Sequence, residues 1–123
     1  MIITLLGYER NLGIVTLTDH LLANLSREHT AVLGWNYLVV DYKPILDKVT
    51  EFSKGGKNVI LKYVLPKVKF TNQGISYPKE IDEVSDLVFL VPTYREELAP
   101  QVPIRFFKGE EKPICQVIKK YYT

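Results

Sequence analysis

Cysteine is almost absent from this chain: Cys115 is the single one in 123 residues. No intramolecular disulfide can form, which excludes a disulfide-built secreted scaffold. Long hydrophobic runs are missing too. None approaches the roughly 18 residues of a membrane-spanning helix, so no membrane partner is expected. The first residues, Met1-Ile-Ile-Thr-Leu-Leu6, carry no basic stretch and no clear cleavage site. They predict no secretory leader, and a cytoplasmic protein is the expectation. Histidine is scarce. His20 and His29 are too far apart for the i, i+4 pair of a helical zinc site. With no second cysteine beside them, neither a metal nor a cofactor is expected.

What is present suits one globular domain over residues 1–123. Hydrophobic residues make up 46% and charged residues 24%, enough apolar surface to offset chain entropy. A chain of this length buries about two-thirds of its unfolded surface and needs no staples. The net charge is only +2, but it is divided into blocks. Lys54, Lys57, Lys62, Lys67, Lys69 and Lys79 follow one another with no acid between them. Glu80, Asp82, Glu83, Asp86, Glu96 and Glu97 come next, against Arg95 alone. Blocks of this kind predict surfaces of opposite sign.

Periodicity predicts alternating strands and helices. Ile2 to Leu6 is a β-branched apolar run ended by Gly7, as in a buried strand. From Ile14 to Glu28 the apolar residues recur at helical spacing. Thr30–Leu33 and Tyr37–Val40, separated by Gly34, read as one bent strand or two. Pro44 opens a helix that Gly55-Gly56 stops. Asn58–Val64 and Leu87–Val91 are further strands, and Val102–Phe107 is a last one whose Pro103 suggests an edge. Tyr94–Ala99 reads as a helical turn and Pro113 opens a C-terminal helix. Between residues 66 and 78, short alternating runs flank Thr71-Asn-Gln-Gly74, which predicts a β-hairpin insertion. The predicted fold is α/β: a three-layer α/β/α domain with a mostly parallel sheet, Rossmann-like or P-loop-like.

In such sheets ligands bind at the carboxyl ends of the strands. The first of these is Leu6-Gly-Tyr-Glu-Arg-Asn-Leu-Gly-Ile-Val-Thr16, followed by Leu17, Leu21, Ala23 and Leu25 at helical spacing. Tyr37-Leu-Val-Val-Asp41 then ends an apolar run in an acid, with Pro44 soon after, and Asp86 opens another apolar run. This pattern, mainly over residues 1–44, resembles a shortened, degenerate domain of the ParA/MinD family of P-loop ATPases. In that alignment the family's first loop lysine falls on Glu9. Its phosphate-binding lysine falls on Ile14, and its magnesium-binding hydroxyl on Val15. Two of its glycines fall on Arg10 and Asn11; Gly13 and Thr16 alone are kept. A P-loop needs a lysine at the β/γ-phosphates and a hydroxyl on Mg²⁺. The resemblance therefore implies a scaffold without ATP hydrolysis, on which Asn11, Gly13 and Thr16 are the anion-binding candidates.

Asp41-Tyr42-Lys43 also spells the Asp-x-Lys of PD-(D/E)xK nucleases, where the acid helps hold Mg²⁺ and the lysine activates water. Residues 49–61 resemble the helix and strand that follow this motif in archaeal Holliday-junction resolvases. Glu9 would stand for their early acid. The second metal-binding acid is missing from the stretch 30–36, and one carboxylate holds Mg²⁺ poorly. A third constellation is basic and aromatic: Lys62, Lys67, Lys69, Phe70, Tyr77 and Lys79. Lysines track phosphates while rings stack bases, so region 54–79 is a candidate contact for nucleic acid or a protein partner. The reading that follows is a non-catalytic binding or regulatory protein, with a homodimer as one possible assembly. The alternative is a nuclease using Asp41, Lys43 and Glu9.

Overall fold

The computed structural model describes residues 1–8, 12–66, 76–91 and 104–121. The chain runs β1 (Ile2–Tyr8), α1 (Leu12–Leu25), β2 (Thr30–Asn36), α2 (Lys43–Lys54) and β3 (Asn58–Leu65). It continues with α3 (Lys79–Val84), β4 (Leu87–Leu90), β5 (Arg105–Lys108) and α4 (Pro113–Tyr121). The strands form one sheet in the order β2-β3-β1-β4-β5. The first four are mutually parallel, and β5 pairs antiparallel with β4. The three-layer α/β/α reading holds.

Alternation along the strands divides the core in two. Ile3 and Leu5 of β1, Ile60 of β3 and Phe89 of β4 point to one face, against Leu17 and Leu21 of α1 and Ile118 of α4. Leu6, Leu61, Tyr63 and Val88 point to the other, against Val49 of α2 and Ile81 of α3. Both faces of the central strands are thus dry, which is why their sequences are apolar at nearly every position. Thr4 is the polar residue inside β1, and its hydroxyl is 2.7 Å from that of buried Ser85. Asp86 ties β1 to the start of β4. Its carboxylate accepts the Ile2 N–H at 2.7 Å, and its own N–H donates to the Ile2 carbonyl at 2.8 Å.

Gly55-Gly56 stops α2 as its sequence predicts. Gly56 takes φ +83° and donates to the Ser53 carbonyl, the left-handed turn that glycine enters without a Cβ penalty.

Four expectations need correction. The helix predicted to Glu28 ends at Leu25, and Arg27–His29 forms a separate 3₁₀ turn. Tyr37–Val40 is not a strand, because Asn36 turns the chain: its side-chain oxygen accepts the Leu38 N–H and its carbonyl accepts the Val39 N–H. Lys79–Val84 is a helix that the sequence reading missed. Its one repeat, Ile81 with Val84, is too short to register as periodic, and the acids of its first turn were the signal available. Ser76 and Tyr77, in the second arm of the predicted hairpin, are not in a strand. Residues 67–75, 94–99 and Pro103 lie outside the described residues.

Candidate functional site

The strand order locates the place where a site is expected. From β1 the chain passes to α1 on one face; from its neighbour β3 it passes toward α3 on the other. Connections that diverge from adjacent parallel strands open a crevice at their carboxyl ends. Here that edge is bounded by Tyr8, Asn36, Leu65 and Leu90. Glu9, Asn11, Lys67, Lys69 and Phe70 lie outside the described residues.

The remaining candidates are dispersed. Gly13 lies in the first turn of α1 and Thr16 is exposed on the same helix. Ile14, where the resemblance places the phosphate-binding lysine, is buried in the first core with Leu17 and Leu21. That position is spent on packing. Asp41 and Lys43 are exposed, and the Asp41 carboxylate accepts the Lys43 N–H at 3.3 Å. Asp41 thereby satisfies an amide at the start of α2. It stands beyond the end of β2 rather than on it, which corrects the expectation of an acid at a strand terminus. No group of three or more His, Cys, Asp or Glu among the described residues could hold a metal ion.

Among the described residues, Lys62 does not share a face of the sheet with Tyr77 and Lys79. Lys62 lies on the α1 face of β3, in register with Gly34 of β2. Tyr77 lies on the α2/α3 face, where its ring meets Phe107 edge-on with centroids 5.5 Å apart. Its hydroxyl donates to Asp82 at 2.7 Å, so neither ring nor hydroxyl is free to meet a base. Lys79 starts α3 on that same side and is exposed.

Three groups show raised pKa values. Burial pushes the Tyr77 hydroxyl up, and the bond to Asp82 and its charge push it further. Burial, then Tyr42, raises Tyr63. Burial is the first cause at Cys115, whose thiol is packed in the first core and donates to the Gly109 carbonyl. All three shifts favour the protonated form in the folded state. Their stabilisation is complete below the unfolded values, 9.0 for the thiol and 10.0 for the tyrosines. It is lost as pH rises through the folded values. The expected result is a melting temperature that is level near neutral pH and falls above about pH 9–10. Tyr77→Phe should flatten that alkaline fall while lowering stability at pH 7 by about 1 kcal/mol, the net worth of the lost bond. A profile unchanged by the substitution would sink the assignment.

The feature that the sequence reading misinterpreted is the segment from Tyr37 to Tyr42. The Trp35 indole N–H donates to the Val39 carbonyl at 3.1 Å, and its ring lies 4.8 Å from Tyr63 and 5.1 Å from Tyr42. Tyr37 N–H reaches the Val64 carbonyl at 2.9 Å. With the two bonds to Asn36 these contacts hold the loop against the sheet. The loop nevertheless presents Leu38 at 72% exposure and Val40 at 84%. Those two residues looked like the inside of a strand because they sit in an apolar run. A shallow depression of about 640 Å³ at Gly109–Pro113 lies at the opposite, amino edge of the sheet, away from the loop.

No family model matches this chain, and no curated protein or solved structure matches it either. What the site can do rests on its own chemistry. Among the described residues, that chemistry is an apolar loop on a rigid base, with no converging acids. No helix among them is long and apolar enough to cross a membrane.

Proposed function

We propose that this chain is a non-catalytic binding protein that docks on a protein partner through the loop 37–42, on a scaffold resembling a degenerate P-loop domain. The observation that carries the reading is the outward display of Leu38 and Val40 on a loop pinned by Trp35. Large apolar side chains held in water cost free energy unless something covers them. The core position of Ile14 and the exposed place of Asp41, whose carboxylate accepts the Lys43 N–H, support the absence of both ATP hydrolysis and DNA cleavage. Placement of Lys62 and Tyr77 on opposite faces of the sheet favours a protein over a nucleic acid as partner.

The test compares partners retained by the wild-type chain and by Leu38→Ser with Val40→Ser, with and without nuclease treatment. A retained protein should then be purified and its binding measured directly. The expected result is an affinity at least about tenfold weaker for the double variant, near 1.4 kcal/mol. Equal affinity refutes the loop as the docking site. Retention that nuclease abolishes transfers the reading to nucleic acid. Mg-ATP should leave the melting temperature unchanged, whereas a ligand at 100 times its dissociation constant stabilises by about 2.7 kcal/mol. DNA cleavage lost in both Asp41→Ala and Lys43→Ala would establish the nuclease instead.

A further inference from the structure

The two edges of the sheet are treated differently. β5 is four residues long, Arg105-Phe-Phe-Lys108, and is charged at both ends. Short, charged edge strands resist pairing with another chain. β2 is seven residues long, Thr30-Ala-Val-Leu-Gly-Trp-Asn36, and holds neither a charge nor a proline. Its pairing with β3 runs through all seven positions without a break in register. Among the described residues, β2 carries neither charge, proline nor bulge to blunt the edge, and no strand lies beyond it.

The direction of the outer groups follows from one bond. Tyr37 N–H donates to Val64, so the odd-numbered backbone groups of β2 face β3. Alternation then turns the N–H and C=O of Val32 and Gly34, and the N–H of Asn36, toward the open edge. Val32 and Gly34 also share one sheet face, beside Ile60 and Lys62 of β3. Val32 is 37% exposed, and a Cβ on Gly34 would meet nothing within 4 Å. One residue is a projection and the other an open notch.

We infer that the β2 edge pairs antiparallel with the β2 edge of a second copy of this chain, about a two-fold axis at Leu33. In that register Val32 lies opposite Gly34 of the second copy, and the two exchange both backbone hydrogen bonds. Directly opposite residues point to the same face, so each valine covers the other chain's notch. The flanks are complementary in charge. Exposed Arg27 and Glu28 precede β2, and exposed Asp41 and Lys43 follow it. Antiparallel pairing sets the amino end of one strand beside the carboxyl end of the other, and each of those ends carries one base and one acid. A closed two-fold interface of this kind buries the same patch on both chains. It rests on the strand and not on the docking proposal, and it places the two 37–42 loops at opposite ends of the junction.

The test is sedimentation of the full chain at micromolar concentration. The expected mass is twice 14.2 kDa, and Val32→Lys, which puts a charge on the edge, should weaken the dimer by about tenfold or more. A monomeric wild type overturns the inference, as does a dimer that Val32→Lys leaves intact. If that variant does not fold, hydrogen exchange of the wild type decides. Protection of the Val32 and Gly34 amides must rise with protein concentration; protection independent of concentration refutes the pairing. Leu38→Ser with Val40→Ser, which alters the loop alone, reads the docking proposal separately.

Discussion

Phe89→Ala should cost about 3–5 kcal/mol, the range for emptying a buried aromatic site. Phe89 is fully buried and is the largest such side chain among the described residues. It sits in β4, in the core beneath α1 and α4, and its ring lies 5.6 Å from that of Phe106 on β5. Removing it leaves a hole on the line that joins the parallel strands to antiparallel β5. A chain of this size has about 5–15 kcal/mol of stability in all, so the variant should unfold at a much lower urea concentration. Phe89→Leu keeps most of the volume and should cost less than about 1.5 kcal/mol. Similar urea midpoints for the two variants would show that the site collapses freely, contrary to the packing described.

Gly109→Ala should be destabilising by about 3 kcal/mol, through the backbone and not through the core. Gly109 has φ +79°, a region that costs a residue with a Cβ about 1–3 kcal/mol. The neighbours add to that strain. A Cβ there would overlap the Asp86 carbonyl oxygen and stand 3.2 Å from the Leu87 Cα. Both are main-chain atoms at the start of β4, where Asp86 is itself tied to Ile2. Nothing at that spot can rotate away. Gly55→Ala is the comparison, since Gly55 has φ −76° and an added Cβ would meet only the Phe52 and Glu51 carbonyl oxygens, at 3.4 and 3.6 Å. Its urea midpoint should move little. Equal losses at the two glycines would contradict the close approach at Gly109.

These two sites show what a local reading could find and what it could not. Leu87–Val91 was legible as a buried strand because an apolar run of that length cannot be left in water. The conformation of Gly109 was not legible. It depends on Asp86, whose position is set by pairing with β1 at the far end of the chain. Pro44 and Gly55-Gly56 were legible as helix start and stop, since capping is chemistry among neighbours in sequence. Tyr37–Val40 was misread for the converse reason. Its residues have strand character, but the Asn36 side chain and the Trp35 indole claim the backbone groups that a strand would have used. A hydrogen bond from a side chain to a carbonyl four residues on leaves no mark in a hydrophobic pattern.

The candidate site divides along the same line. The sequence alone shows that the residues of a working P-loop are not there, because Ile14 and Val15 can supply neither a phosphate contact nor a metal ligand. Only the fold reveals that Ile14 is a core residue and that Asp41, on an exposed loop before α2, accepts the Lys43 N–H. Lys62, Tyr77 and Lys79 look like one basic, aromatic stretch when written in a line. The sheet separates the first from the other two, because Lys62 points to the α1 face of β3 while Tyr77 and Lys79 lie on the α2/α3 face. Periodicity determined most of the strands and the longer helices, since it follows from burying one side of each element. It could not rank the strands. β2 reads as an apolar strand like β1 and β3, yet it ends at the sheet's edge because β3 enters between it and β1. That insertion is settled by pairing between residues distant in the chain, and it alone decides which backbone groups and which apolar side chains are left for a partner.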